Sequence, residues 1–303
     1  MRRPVHGARR ETSTTSDPRD RRRGSVDEAI MTHQPSILST CQQAFIAVRE
    51  LQREGKRVGL VPTMGALHAG HLSLVAASDQ VCDTTVATIF VNPTQFGPSE
   101  DLAQYPRTLE ADLNALADYN VQFVFVPTSE EMYPAGFSTY VDPPDVARSL
   151  EGASRAGHFR GVSTVVLKLL HTLPADVAFF GQKDYQQALV IRRMVADLNV
   201  PVAIDVCPTV READGLAMSS RNVYLSTDER ERALSLSRGV RRAEQLAAEG
   251  EQDAQRIASQ VREIMTAANV DTIEYVEIAD RETLQPLDRL ERPGVVLVAA
   301  RVG

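Results

Sequence analysis

Two histidines three residues apart, His68 and His71, lie in the stretch GLVPTMGALHAGHLSLV (59–75). Val58 to Val61 is a short apolar run. Pro62-Thr63-Met64-Gly65 is a turn signal, and Leu72, Leu74 and Val75 begin an apolar periodic segment that reads as a helix from His71. The pair therefore sits where a strand hands over to a helix N-terminus. Unpaired backbone N–H groups and the helix dipole make such a place attractive to phosphate. Gly70 carries no side chain, so a ligand can approach the backbone there. The chemistry suggested is nucleotidyl transfer, with imidazoles aimed at a phosphate. Two other readings stand beside it. Histidines at this spacing can ligate a metal, and they can be ordinary surface residues. No neighbouring Cys or acid completes a metal set.

Other polar clusters have the same ambiguity. In GQKDYQQ (181–187), Lys183 can neutralise phosphate charge, Asp184 can accept from ribose hydroxyls, and Gly181 permits close backbone approach. Gln187, four residues after Lys183, shares its helix face and can donate and accept through its amide. A solvated helix start explains this cluster equally well. AMSSRN (217–222) sets two hydroxyls beside Arg221, whose planar fork suits a departing pyrophosphate. In isolation it reads as a polar turn capping the next helix. In NPTQF (92–96), the amide of Gln95 suits a hydroxyl or carboxylate. Asp112 can help hold Mg²⁺, which takes one or two carboxylates plus substrate phosphates, or it can be a surface helix acid. Arg155 and His158, in GASRAGHFRG (152–161), can meet an anion or be solvated.

The elements that must position these groups alternate. A helix capped by Ser39 or Thr40 runs to about Glu54. Val58–Val61, Thr84–Val91, Val121–Val126, Val177–Phe180 and Val202–Val206 read as strands. Segments from His71, near Leu109–Tyr119, over Val162–Leu173 and over Tyr185–Leu198 read as helices. Continuous apolar strands separated by helices predict an α/β fold, a Rossmann-like parallel sheet with helices on both faces. Ligands of such sheets sit beyond the carboxyl ends of the strands. His68/His71, Asn92–Gln95 and Gly181–Asp184 all follow those ends, which argues for a single site. Past Pro208, helical sequence over about Asp228–Ala268 and strand-like runs at Ile273–Ile278 and Val295–Val302 predict a smaller C-terminal α+β domain. The expected division is 1–30, 31–208 and 209–303, with the MSSR loop in the last part.

Composition bounds the function classes. The 303 residues are 43% hydrophobic and 24% charged, ordinary for a soluble globular protein. No apolar run approaches the roughly 20 residues that cross a membrane. Cys41, Cys82 and Cys207 are odd in number and not in CxxC spacing, which fits a reducing cytoplasm. A net charge of −7 argues against a broad nucleic-acid surface. The first thirty residues hold eight Arg against five acids, a net of +3, so the remainder carries −7 − 3 = −10. That segment reads as a disordered extension. A start at Met31, or a dispensable tail, accounts for it.

PTMGALHAGH, IFVNPTQF, YPRT, HFRGVSTVVLKLL, FFGQKDYQQ and PTVREADGLAMSSRN occur in that order between about Gly59 and Leu225. Together they resemble the pantothenate synthetases, the pantoate–β-alanine ligases of the HxGH nucleotidylyltransferase-like superfamily. MSSR stands where related enzymes carry a KMSKS-like loop. The resemblance implies a two-step, ATP-dependent, AMP-forming reaction of pantothenate biosynthesis. The pantoate carboxylate attacks the α-phosphorus of ATP, releasing pyrophosphate, and the β-alanine amine then attacks the pantoyl adenylate and releases AMP. It implies ATP binding through Met64, Gly65, Ala66, Leu67, His68, Ala69, Gly70 and His71, through Gly181, Gln182, Lys183 and Asp184, and through Val210, Met218, Ser219, Ser220 and Arg221. Pantoate would be held at Gln95 and Gln187, and β-alanine at Gln95. His71, His68, Lys183 and Arg221 would be catalytic, with His71 chiefly an electrostatic stabiliser, and Mg²⁺ would accompany ATP. A cytoplasmic homodimer is also implied. The family pattern usually continues in a segment like TRLIDN, whereas this sequence ends Arg301-Val302-Gly303; the departure bears on the small domain and the dimer. Two rival functions are a plain HxGH adenylyltransferase, which would want a basic acceptor pocket, and a non-catalytic nucleotide-binding protein, which need not keep all these motifs together.

Overall fold

The computed structural model describes residues 34–98 and 100–303, which belong to one compact unit. The expectation for residues 1–30 lies outside them. The chain runs β1 (Ser36–Leu38), α1 (Cys41–Arg53), β2 (Val58–Thr63), α2 (Ala69–Val81), β3 (Thr84–Ile89), α3 (Leu109–Leu116), β4 (Val121–Phe125) and the short α4 (Ser129–Met132). It continues with the short α5 (Glu151–Ser154), α6 (His158–Thr172), β5 (Val177–Gly181), α7 (Tyr185–Asp197) and β6 (Ala203–Cys207). Last come α8 (Thr227–Ala248), α9 (Ala254–Ala267), β7 (Thr272–Asp280) and β8 (Gly294–Arg301).

The first six strands form one sheet in the order β1-β4-β3-β2-β5-β6, with every pair parallel. The central strands β2 and β5 are largely apolar because both faces are covered, while β3 also buries Thr84, Thr85 and Thr88. Val58, Leu60 and Val61 of β2 and Val177, Ala178, Phe179 and Phe180 of β5 are all buried. Helices α1, α6 and α7 pack one face, through Val48, Phe159, Leu169 and Ile191. Helices α2 and α3 pack the other, through Leu74, Val75 and Leu116 against Phe179. The expected Rossmann-like sheet is therefore present, and β1 adds a sixth strand. Three residues, Ser-Ile-Leu, are too few to show a period, so β1 carries no signal in the sequence; its backbone pairing with β4 makes it a strand.

Strand order decides where a ligand can sit. From β2 the chain winds through β3 to β4 on one side, then returns to place β5 on the other side of β2. The crevice at this switch lies beyond the carboxyl ends of β2 and β5. His68 follows β2 and Lys183 follows β5. Past β6, the chain leaves the large sheet. Helices α8 and α9 cover a two-stranded antiparallel sheet, β7-β8, through Leu246, Ile257, Val261 and Met265. Among the described residues, no helix is long and apolar enough to cross a membrane.

Candidate active site

His68 is the N-cap of α2, so the helix begins at Ala69, two residues before the sequence expectation. The cap explains the spacing of the two histidines. In a capping box, the N-cap side chain accepts from a backbone N–H in the first turn, and the third helical residue reaches back to the N-cap N–H. Here imidazoles do both jobs. Nδ1 of His68 accepts from the Gly70 amide at 3.1 Å, and Nδ1 of His71 accepts from the His68 amide at 3.4 Å. The rings lie 4.1 Å apart between centroids. An imidazole that accepts at Nδ1 carries its proton on Nε2. Both rings therefore keep an Nε2–H donor available in the cleft they line. Gly70, which lines the cleft, also serves this geometry. A Cβ there would lie 2.8 Å from Cε1 and 2.9 Å from Nδ1 of His68.

Burial, with the neighbouring His68 next in weight, pushes His71 down to about 3. Burial, followed by the Lys183 charge, also lowers His68. Both rings are thus neutral donors at neutral pH.

Asp112 corrects an expectation. It is buried, only 2% exposed, so it is not a surface acid. One carboxylate oxygen accepts from the Ala66 amide at 3.0 Å, and the other from the Leu67 amide at 2.8 Å and the Thr108 hydroxyl at 3.2 Å. Ala66 holds a left-handed φ of 50°, which costs a non-glycine residue strain. Asp112 offsets that strain by gripping the turn that aims His68. Its oxygens are engaged by N–H and O–H donors, and it does not line the cleft.

The cleft wall gathers Met64, His68, Gly70, His71, Gln95, Gly181, Lys183, Asp184, Gln187, Val210, Met218, Ser219, Ser220 and Arg221. Gly65, Ala66, Leu67, Ala69 and Gln182 are in the same loops but do not line it. Lys183 and Asp184 pair at 3.1 Å, with side chains 40% and 54% exposed toward the open cleft. The Asp184 charge holds the Lys183 ammonium above its ordinary range, against the effect of burial. Arg221 makes a two-pronged contact with Asp101, at 2.8 and 3.0 Å. The Ser220 hydroxyl donates to the Ala66 carbonyl at 3.0 Å, tying the MSSR loop to the turn gripped by Asp112. Val210 and Met218 face each other across a small hairpin closed by Met218 N–H to Val210 O at 3.0 Å, with Gly215 at its tip.

Arg155 and His158 also belong to the wall and are not solvated loop residues. Arg155 grips Glu100 through two bonds, at 2.8 and 2.6 Å, and Glu151 through one at 2.6 Å. His158 Nδ1 lies 2.8 Å from the Gln95 carbonyl, which can only accept, so Nδ1 carries the proton. Burial and the Arg155 charge lower its pKa. The cations Lys183, Arg155 and Arg221 thus each face an acid. Sequence reasoning did not single out Phe90, Tyr105 and Glu151 as wall residues. Phe90 and Tyr105 lie in the motifs IFVNPTQF and YPRT, as Asn92 does in the cluster Asn92–Gln95, whereas Glu151 has no motif of its own. Gln186, next to Gln187, is buried for a structural reason. Its amide braces the loop before α5 by donating to Val146 and Ser149 carbonyls, both at 2.8 Å. Among the described residues, no cluster of three His, Cys, Asp or Glu has a metal-holding arrangement.

Comparison with known proteins adds an independent line. A family model described as pantoate-beta-alanine ligase matches residues 36–303. A pantothenate synthetase of Pelotomaculum thermopropionicum is 49% identical over 267 residues, covering 88% of this chain and 95% of that protein. One from Pseudothermotoga lettingae is 52% identical over 255 residues, covering 84% and 90%. Among solved structures, pantothenate synthetase from Thermus thermophilus superposes with a TM-score of 0.84 at 43% identity, covering 88% of this chain and 95% of that one. A pantoate-beta-alanine ligase from Francisella tularensis, complexed with beta-gamma ATP and beta-alanine, matches with a TM-score of 0.70 at 34% identity, covering 81% and 90%.

Proposed function

Because this chain belongs to the pantoate–β-alanine ligase family, we propose that its cleft joins pantoate to β-alanine by way of a pantoyl adenylate. The enzyme is an ATP-dependent, AMP-forming ligase of pantothenate biosynthesis. In the first step a pantoate carboxylate oxygen attacks the α-phosphorus, and the bond to the bridging oxygen of pyrophosphate breaks. In the second, the neutral β-alanine amine attacks the acyl carbon and AMP leaves. Little covalent work falls to the protein, whose task is to align two anions and stabilise charge on the phosphate. The observation that carries this reading is the histidine capping box, which leaves two neutral Nε2–H donors at a helix N-terminus. His68 and His71 donate to phosphate oxygens there. Lys183 carries positive charge from the carboxyl end of the neighbouring strand β5, and Ser219, Ser220 and Arg221 receive the outer phosphates.

We assign pantoate to Gln95 and Gln187, β-alanine to the Gln95 side, and adenosine to the neighbourhood of Met64, Gly181, Val210 and Met218. Mg²⁺ enters with ATP as part of the substrate. The acids of the wall are paired with cations and Asp112 is engaged by the backbone, so the chain supplies no cage for the ion. We read 31–208 as the nucleotide- and pantoate-binding part and 209–303 as a smaller part bringing the MSSR loop, in a cytoplasmic homodimer. The direct test measures AMP release with MgATP and pantoate, with and without β-alanine, together with pantoate-dependent pyrophosphate exchange. Exchange that needs pantoate alone, and sustained AMP release that needs β-alanine as well, is the expected pattern. Turnover indifferent to β-alanine would point to a plain adenylyltransferase instead.

A further inference from the structure

Gln95 is held by a chain of groups that runs from the cleft wall at Asn92 back to Thr94 and Tyr133, which do not line the cleft. The Tyr133 hydroxyl donates to Oδ1 of Asn92 at 2.7 Å. The Thr94 hydroxyl donates to the same oxygen at 3.0 Å, and the Thr94 amide approaches it at 3.4 Å. With donors collected on Oδ1, the Asn92 amide has one orientation, and its Nδ2 must face the other way. There it donates to the Gln95 Oε1 at 3.1 Å and to the Gly161 carbonyl at 3.4 Å. Asn92 is 1% exposed, so these bonds are made away from water and a flipped amide would leave buried donors and acceptors facing their own kind.

The consequence falls on Gln95. Its Oε1 is turned inward, so Nε2 is the end beside Met64, 3.3 Å from that sulfur, a weak acceptor. Met64 and Gln95 both line the cleft. Its main chain is fixed as well, by His158 on the carbonyl. Gly161 lets α6 press against this loop, since a Cβ there would lie 2.2 Å from the Thr94 carbonyl oxygen. At the far end, the Tyr133 ring is wedged between Phe137, 5.0 Å away edge-on, and Phe90 at 6.4 Å, with the Lys168 ammonium 5.8 Å from its face. These contacts seat the ring with its hydroxyl at Asn92, where it also lies 3.2 Å from the Thr94 hydroxyl.

We propose that Tyr133 is a positioning residue which, through Asn92, locks the Gln95 amide with its NH₂ toward the cleft, so that Gln95 meets pantoate as a hydrogen-bond donor. This rests on the reading of Gln95 as a pantoate contact. It makes the donor geometry part of substrate selection: an acid offering carboxylate or hydroxyl oxygens fits a fixed NH₂, whereas a group offering only donors does not.

The test is a double-mutant cycle on the intact enzyme, with KM for pantoate and for ATP measured separately. Tyr133→Phe keeps the ring and its packing and removes only the hydroxyl. It should raise the pantoate KM about fivefold, the effect of one lost hydrogen bond, while ATP KM and kcat move less than about twofold. Gln95→Ala should raise the pantoate KM on its own, and in that background Tyr133→Phe should add almost nothing. Gln95→Glu should be worse than Gln95→Ala, because it deletes the donor and brings a charge against the pantoate carboxylate. If Gln95→Ala leaves the pantoate KM unchanged, the reading of Gln95 fails and the proposal with it. If Gln95→Ala weakens pantoate but Tyr133→Phe does not, or does so equally with and without Gln95, only the relay is overturned. A Gln95→Glu enzyme that keeps ordinary pantoate affinity would show that Gln95 accepts rather than donates.

Discussion

A neutral His71 has a thermodynamic signature that can be measured without substrate. Its pKa stands at about 3 in the folded protein, with burial the main cause and the adjacent His68 the next. In the unfolded chain an imidazole titrates near about 6.5. Below that pH the unfolded state binds a proton that the folded state refuses. The contribution to stability is therefore complete above about pH 7 and is lost as pH falls from 6.5 toward 3. Between about pH 8 and about pH 5, the two titration curves diverge by some one and a half pH units. That is a loss on the order of 2 kcal/mol from this residue alone. His71→Gln removes the titration while keeping a side chain that can reach the His68 amide. Urea denaturation of both proteins at the two pH values, followed by far-ultraviolet circular dichroism, isolates the effect as a difference of differences. The gap in stability should move by about 2 kcal/mol in favour of the variant on acidification. A gap independent of pH would refute the buried neutral imidazole. A kcat that falls across pH 6–8 with an ionisation traced to His71 would instead make it a proton donor.

Asp112→Asn places an amide against two backbone N–H groups and should lower stability by about 2 kcal/mol, with reduced kcat and an unchanged Mg²⁺ requirement; a shifted Mg²⁺ requirement would restore a role as metal ligand. Asp101→Asn frees Arg221 from its two-pronged partner, and calorimetric titration should show ATP binding up to about fivefold tighter. Weaker ATP binding would mean that the pair persists in the complex and aligns Arg221. Amide hydrogen exchange across Arg211–Asn222 should slow when ATP and pantoate are bound, since the hairpin from Val210 to Met218 carries the MSSR loop to the phosphates. Unchanged exchange at a saturated site would leave Ser219 and Ser220 as structural turn residues.

Most of the large sheet could be read because its interior strands are buried on both faces, and full burial leaves a continuous apolar signature in Val58–Val61 and Val177–Phe180. The small sheet was legible from its apolar runs, which pack under α8 and α9, though β7 and β8 extend beyond those runs because pairing continues through Asp280 and Gly294. β1 was invisible because nothing but its backbone pairing makes it a strand. The cleft followed the same division. Residues that must touch a ligand from a strand end lie in polar motifs and could be found. Residues that act through a contact distant in sequence could not. Asp112 looks the same on paper whether it faces solvent, a metal or a backbone turn; only the arrival of Ala66 and Leu67 at its oxygens decides. Glu151 and Glu100 are ordinary acids until Arg155 brings them together.

The histidine pair shows how one spacing can serve both a helix cap and the phosphate chemistry read from it. A separation of three residues is what phosphate binding, metal ligation and helix capping all permit on a first helical turn. The fold chooses among them by hydrogen-bond supply. Two amides, those of His68 and Gly70, are left without helical acceptors at the start of α2, and the two Nδ1 atoms meet them. Once Nδ1 is committed, protonation of either ring would turn an accepted hydrogen bond into a clash between two donors. The cap therefore favours the neutral form for the same reason that burial does. It fixes the tautomer, the ring orientation and the charge together. Metal ligation through Nδ1 would require breaking the cap, and ligation through Nε2 would need acids that the neighbouring wall has already paired with Lys183 and Arg155. Phosphate asks for none of these changes, since it accepts from Nε2–H as the rings stand. An enzyme built this way should tolerate replacing either histidine by a residue that caps but cannot donate, as far as folding goes, and lose adenylation nonetheless. His68→Asp is that substitution: an N-cap as good as any, with a charge that repels phosphate. It should melt near the parent protein and show pantoate-dependent pyrophosphate exchange reduced by at least about a hundredfold. Near-normal exchange in a folded His68→Asp enzyme would mean that the pair is there for the helix alone.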